Sequence, residues 1–443
     1  MPEQADVVIV GAGAAGLMAG IWAGRSRPQR RIVLLDGAQT LGAKILVAGG
    51  GRCNVTHEVI DETAYAGSSR NAIRKVLRRF DVPETVAFFR ELGVELKRED
   101  TGKLFPVTDS ARTVLEALLR AARLVKVEIR HPCRVEHINK QGETFRVMGA
   151  WGTLETPRVV LATGGKSLPK SGSDGQGYTL AESLGHTLTP RIFPALVPLT
   201  LPKEHFICGL SGVTVPTTLE VRTAAGKRLA AFTDSTLCTH FGLSGPSVLD
   251  ISRYYIDAKL DDPHTLLTIN WLPGTSSEGL DADLQKLGKT TVLRYLSGHL
   301  PERLLRALCA EAGVEPGAPG HQLTREARRT LVTTLTQLPL PVTGNRGFLY
   351  AEVTAGGIPL SEVRLETMES RLCAGLHLCG EICDVDGRAS AATIFRGRGP
   401  AATSRVWPCD LPQPFDNPGG DSCGANPQQH HIKHAEIKLI NPR

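Results

Sequence analysis

The stretch Asp6-Val-Val-Ile-Val10, Gly11-Ala-Gly-Ala-Ala-Gly16, Leu17–Trp22 and, after a polar break, Ile32-Val-Leu-Leu-Asp36 decides how this chain is read. A short apolar run of strand type passes without a gap into a glycine turn, the turn opens a helical pattern, and a second apolar run ends on an acid. Each residue type has a mechanical reason to be there. Gly11 permits the tight turn, Gly13 lets backbone approach a pyrophosphate, and Gly16 lets helix and strand pack closely. Phosphates then face the helix N-terminus through Ala12, Ala14 and Ala15, where unpaired N–H groups and the dipole favour negative charge. Asp36, twenty residues past Gly16, is placed to accept hydrogen bonds from ribose hydroxyls. Strand, turn, helix, strand and acid in this order predict a dinucleotide-binding α/β unit.

Composition sets wider bounds. With 443 residues, 41% of them hydrophobic, the chain can bury more than one core, and two or three domains are expected. No apolar run reaches the length of a membrane span, and Val7–Val10 is too short for a signal peptide, so a cytoplasmic location is expected. Ten scattered cysteines lack zinc-ribbon spacing and read as reduced and structural, with no metal site. A formal charge of +6, from 51 basic and 45 acidic residues, permits a polyanionic partner without requiring one.

Arg158-Val-Val-Leu-Ala-Thr-Gly-Gly165 is a second strand that breaks into a glycine turn, and it points to Thr163 and Gly164 beside the nucleotide. A nicotinamide dehydrogenase has no need of such an element at this distance; a two-part flavoprotein does. Upstream of it, Val135 is placed to give a backbone contact to an adenine edge. After Asp36 come Lys44 and then Ala48-Gly-Gly-Gly51-Arg52-Cys53-Asn54-Val-Thr56, in which three glycines bring main chain against something flat while Arg52 and Asn54 add donors. This stretch resembles the BaiN/RdsA-like flavoproteins, FAD-dependent oxidoreductases. Gly102-Lys-Leu-Phe-Pro106, Gly172–Tyr178, Thr239-His-Phe-Gly-Leu-Ser-Gly-Pro246, Val353–Gly357, Thr367–Ser370 and Gly380–Gly387 extend the resemblance from about residue 5 to residue 388.

The resemblance implies a split, three-layer Rossmann-type FAD-binding domain over 1–192 and 344–388. Its last segment would bring Gly380, Glu381 and Asp386 to the ribityl chain and pyrophosphate. Leu196 to about Asn270 alternates in β fashion, which predicts a small β-barrel inserted over 193–277, and leucines at helical spacing over 278–338 predict a helical insert over 278–343. FAD is the cofactor expected, with NAD(P)H as electron donor. The chemistry implied is reduction of an activated C=C bond: uridine in ribosomal RNA going to dihydrouridine, or a conjugated steroid of bile-acid type. A non-catalytic FAD-binding redox sensor is the third reading. Candidate proton donors are Cys53, as a partly exposed thiol, and His240 of the Thr239–Pro246 motif. For RNA, Arg74, Lys75, Arg78 and Arg79 form a basic helical face suited to phosphates.

Beyond Arg388 the chain departs from that pattern. Ala389-Ser-Ala-Ala-Thr-Ile-Phe-Arg396 stands where the family pattern resembles Ile-Gly-Gly-Tyr-Asn-Phe-Gln. Taking the third base of each codon with the first two of the next permits that series in order. We infer a reading-frame shift near codon 388, and the proline-rich, aperiodic tail 389–443 is expected to lack a packed core.

Overall fold

In the computed structural model the described residues are 2–388, so the expectation for the tail 389–443 lies outside them. Val7–Val10 is the pivot. It lies parallel to Ile32–Leu35 on one side and to Val159–Leu161 on the other. Glu128–Arg130 and Leu376–Leu378 extend the parallel sheet, and Glu369–Ser370 and Val363–Arg364 add two antiparallel strands at one edge, making seven in all. A parallel strand must be covered on both faces, and successive side chains point to opposite sides. Val7 and Ile9 accordingly enter a core with the helices Ala14–Ser26 and Ala111–Leu124. Val8 and Val10 enter a second core with Phe145, Val147 and Leu154 of a four-stranded sheet, and with Tyr178 and Ala181 of the helix Gln176–Ser183. The nucleotide unit is therefore three-layered: helices, parallel sheet, and a smaller sheet with a helix.

The chain leaves this unit at Phe193–Ala195 and returns at Val353–Ala355, and the two segments pair antiparallel as a stalk, Ala195 opposite Val353. Between them a seven-stranded antiparallel sheet is ordered Leu338–Pro339, Leu266–Asn270, Thr214–Arg222, Arg228–Thr239, Gly242–Ser244, Leu199–Thr200, Gly344–Asn345. Its two edge strands are consecutive in the chain, so the short segment between Pro339 and Gly344 must span from one edge to the other. The sheet has to roll up to allow this, and its seam is closed by covalent backbone rather than by a ladder. Helices Ser277–Gln285, Val292–Leu296, Glu302–Glu311 and Arg325–Thr336 pack on it, and Leu284, Leu304, Leu308, Leu331 and Leu335 share a core with Leu219, Ile269 and Trp271. No helix among the described residues is long and apolar enough to cross a membrane.

Candidate active site

The glycines of the first turn do three different things. Gly11 has φ of +104°, and a Cβ there would lie 2.5 Å from the Ala162 carbonyl oxygen. At Gly16 a Cβ would lie 1.8 Å from the Gly11 carbonyl oxygen, so the helix meets its own turn backbone to backbone. A Cβ at Gly13 would meet nothing within 4 Å. Gly13 is the N-cap of Ala14–Ser26, and no side chain caps that helix, leaving its first N–H groups for something else. Asp36 holds the turn from the other side: Oδ2 accepts the Ala12 N–H at 2.5 Å and Oδ1 accepts the Ala38 N–H at 2.7 Å. The carboxylate keeps further lone pairs on the cavity side.

These turns open into a cavity of about 880 Å³, within the range usual for cofactor sites. Gly11, Gly13, Ala14, Ala15 and Asp36 line one end with Val135, Thr163 and Gly164. The parallel register Leu161↔Val10 sets Ala162–Gly164 directly beside the first glycine turn. The other end is lined by Lys44, Arg52, Asn54 and Glu381, by Glu99, Lys103 and Phe105 of a small antiparallel sheet, and by Pro246 and Leu249 at the start of the helix Pro246–Asp261. Gly102-Lys-Leu-Phe-Pro106 thus supplies a wall of the site, with Lys103 and Phe105 on one face of their strand.

Glu381 is the knot that ties the returning segment to this cavity. It is buried; Oε1 accepts the Thr354 N–H at 2.7 Å and the Ser167 hydroxyl at 2.8 Å, and Oε2 accepts from Lys44 Nζ. Lys44 also donates to Ser167 Oγ, and Thr354 Oγ1 accepts the N–H groups of Lys166 and Ser167. Arg52 lies over the Phe105 ring, 4.1 Å from its centroid, and pairs with Glu99. Asn54 stands apart: it is 4% exposed, it faces the cavity, and neither Nδ2 nor Oδ1 has a hydrogen-bond partner. Ser173 Oγ, also on the wall, is likewise unpartnered. Buried amides without partners are rare because they are costly. A wall carrying one is shaped for a ligand that offers donor and acceptor together, as the pyrimidine edge of an isoalloxazine does. With the open N-terminus and the clear space over Gly13, the residues present fit FAD.

Several expected site residues fall elsewhere. Cys53 has φ of +64°, which turns its thiol away from the cavity into the helical core, where it is fully buried and burial pushes its pKa up. That is the opposite of the partly exposed acid expected. His240 sits exposed on the turn before Gly242, outside the cavity lining, with its ring edge-on to Phe241. Asp386, expected near the pyrophosphate, is instead buried against Arg253 Nε at 2.8 Å, in the short strand that pairs with Tyr65–Gly67. Ala12 and Gly16 serve the turn, and Gly51 and Gly380 shape loops without lining the cavity. The basic helix spans Arg70–Leu77, but Arg74 is tied to Glu62 and Arg79 donates to the Glu366 carbonyl, which leaves Lys75 and Arg78 facing solvent. Sequence reading missed Glu99, Lys103 and Phe105 as wall residues; the Gly102–Pro106 motif was the signal for them.

The fold and the cavity define a dinucleotide-binding flavoprotein. A family model described as HI0933-like protein Rossmann domain matches residues 5–390, and the chain belongs to that family; it is an FAD-dependent oxidoreductase. It is similar to the 3-dehydro-bile acid delta(4,6)-reductase of Clostridium scindens, 34% identical over 384 residues that cover 86% of this chain and 93% of that protein. It is also similar to the ribosomal RNA dihydrouridine synthase of Escherichia coli, 32% identical over 87% of this chain and 93% of the relative. The same enzyme of Haemophilus influenzae is 28% identical over 87% and 94%.

Proposed function

We propose that this protein uses NAD(P)H to reduce uridine in ribosomal RNA to dihydrouridine, acting in the cytoplasm. The observation that carries the reading is the pair Arg52 and Lys103 at one end of the cavity, cationic and hydrogen-bonding where a conjugated carbonyl would lie. FAD, when bound, supplies the hydride. The adenosine half belongs at the Gly11–Gly16 turn, with Asp36 on the ribose and Val135, Thr163 and Gly164 around it. Lys44, held by Glu381, and the Asn54 amide belong to the flavin end. Hydride addition to the β-carbon of the uracil enone leaves charge on the carbonyl oxygen. Arg52, held on Phe105 and braced by Glu99, is oriented to balance that charge. The α-carbon then needs a proton. With Cys53 in the core and His240 outside the cavity, we assign this role to the Lys103 ammonium, which has no carboxylate partner among the described residues.

A steroid enone presents the same reacting unit, and the apolar residues Ile45, Val47, Phe105, Leu168 and Leu249 on the cavity wall favour it as the second reading. The deciding experiment is mass spectrometry of ribosomal RNA nucleosides from a strain lacking the gene. Loss of dihydrouridine at one site, restored by the gene, is the result expected. Unchanged dihydrouridine, together with reoxidation of the reduced holoenzyme by a steroid enone but not by RNA, would replace uridine with the steroid.

A further inference from the structure

Sequence alone offered no cluster of aromatic residues on which a base could stack, yet the fold builds one from segments a hundred residues apart. Arg346 Cζ lies 4.4 Å from the centroid of the Phe241 ring and 3.8 Å from that of Tyr350, and His240 adds its ring edge-on to Phe241 at 5.1 Å. Tyr350 is 50% exposed and its neighbour Leu349 is 55% exposed. Arg346 has no carboxylate partner among the described residues, so the N–H edge of the guanidinium, whose faces lie against the two rings, is uncommitted to an internal anion.

This surface is held still and close to the cavity. The Arg346 N–H donates to the Pro198 carbonyl, the Tyr350 and Ala351 N–H groups donate to the Gly347 carbonyl, and the Glu352 N–H donates to the Leu196 carbonyl. The Phe348 carbonyl accepts the N–H of Leu168, a cavity residue. Glu352, also on the cavity wall, follows Tyr350 by two residues, so their Cα atoms are within about 7.6 Å. On the other segment Phe241 precedes Pro246 of the cavity wall by five residues.

We propose that Phe241, Arg346 and Tyr350 form a stacking platform for an unpaired nucleobase of single-stranded RNA next to the nucleotide being reduced, with the edge of Arg346 on its phosphate. An exposed ring beside a cation with no internal anion suits a ligand that carries a π-face and a negative charge on neighbouring atoms, and every nucleotide does. The proposal rests on the RNA reading of the cavity.

The test uses FAD-loaded protein and fluorescence anisotropy of a labelled, uridine-rich single-stranded oligoribonucleotide over a range of salt. Tyr350→Ala should weaken binding about tenfold and Tyr350→Phe should restore it. Arg346→Ala should weaken binding and flatten the salt dependence by about 0.7 in log–log slope, with Arg346→Lys recovering the slope but not the full affinity. FAD absorbance reports folding, and the two conservative variants keep the test decisive if an alanine variant loses flavin. Binding by Tyr350→Ala and Arg346→Ala equal to that of the parent would overturn the platform and leave the uridine reading standing. A parent protein that binds no RNA, with unchanged cellular dihydrouridine, would overturn both.

Discussion

Gly13 and Gly16 look alike in the sequence and separate cleanly in the fold. A side chain at Gly16 has no room, since its Cβ would overlap the Gly11 carbonyl, whereas one at Gly13 meets only open cavity. Gly13→Val is therefore expected to leave the thermal unfolding of the apoprotein within about 1 kcal/mol of the parent while abolishing FAD binding. Stoichiometric FAD in that variant would show that the pyrophosphate lies elsewhere. Lys103→Met should slow reoxidation of the reduced enzyme by substrate about a hundredfold or more and leave its reduction by NAD(P)H unchanged; rapid-mixing absorbance separates the two steps. Cys53→Ala, by contrast, should cost about 1–2 kcal/mol of stability as a small core truncation without altering the pH profile of turnover. The glycine turn was legible because its geometry is local: six residues and one acid specify it. Cys53 was not, because a positive φ at a single non-glycine residue reverses which side of the loop a thiol faces, and residue type alone does not announce it.

At the scale of elements, the site is held together by one buried carboxylate. Glu381 joins the returning segment to the helix Ala43–Val47, to the Gly164–Ser167 loop and to the stalk strand Val353–Ala355. Removing it strands Lys44 and an N–H group, so Glu381→Ala should lower apoprotein stability by about 2–4 kcal/mol and weaken FAD binding. Glu381→Gln, which keeps the acceptor for Thr354, should lose less of both. Urea unfolding and flavin titration measure the two effects. Lys44 and Glu381 were each legible as residues of the cavity through their motifs, but their pairing was not, because 337 positions separate them. The same distance problem hid the Arg253–Asp386 pair that takes Asp386 away from the cavity. It also hid the partners of Arg74 and Arg79, which reduce a basic face to two charges, Lys75 and Arg78, without an ion pair among the described residues. Element types were easier to read: β-alternation after residue 196 and leucine spacing after 278 follow from periodicity, while the rolled sheet with its backbone-closed seam depends on pairing that periodicity does not encode.

For the molecule as a whole, a buried and a half-buried titrating group oppose each other. His377, enclosed in the central sheet, is pushed down to about 4, chiefly by burial, so it holds fewer protons folded than unfolded. Its contribution to stability is lost as pH falls from its ordinary 6.5 through about 4. Asp384 is pushed up to about 6, first by burial and then by Asp386. Its contribution is complete below 3.8 and lost as pH rises through about 6. Between those values the two largely offset. Asp384→Asn should therefore raise stability near neutrality by about 1–2 kcal/mol and make the protein lose more on acidification to about pH 5. Melting temperatures at the two pH values that shift equally in parent and variant would remove Asp384 from the account.

The stalk carries a consequence for how this architecture handles air. Because Ala195 and Val353 stand opposite each other, a two-residue turn could join them and omit everything between, giving a shortened flavoprotein with its parallel sheet untouched. From the cavity wall it would lose Glu352 at the stalk's flank and, from the omitted module, Pro246 and Leu249; buried Asp386 would also lose Arg253, so the shortened form should carry Asp386→Asn. With that shield gone, dioxygen would reach the reduced cofactor, and the shortened protein should behave as an oxidase, consuming oxygen in an electrode chamber at the expense of NAD(P)H.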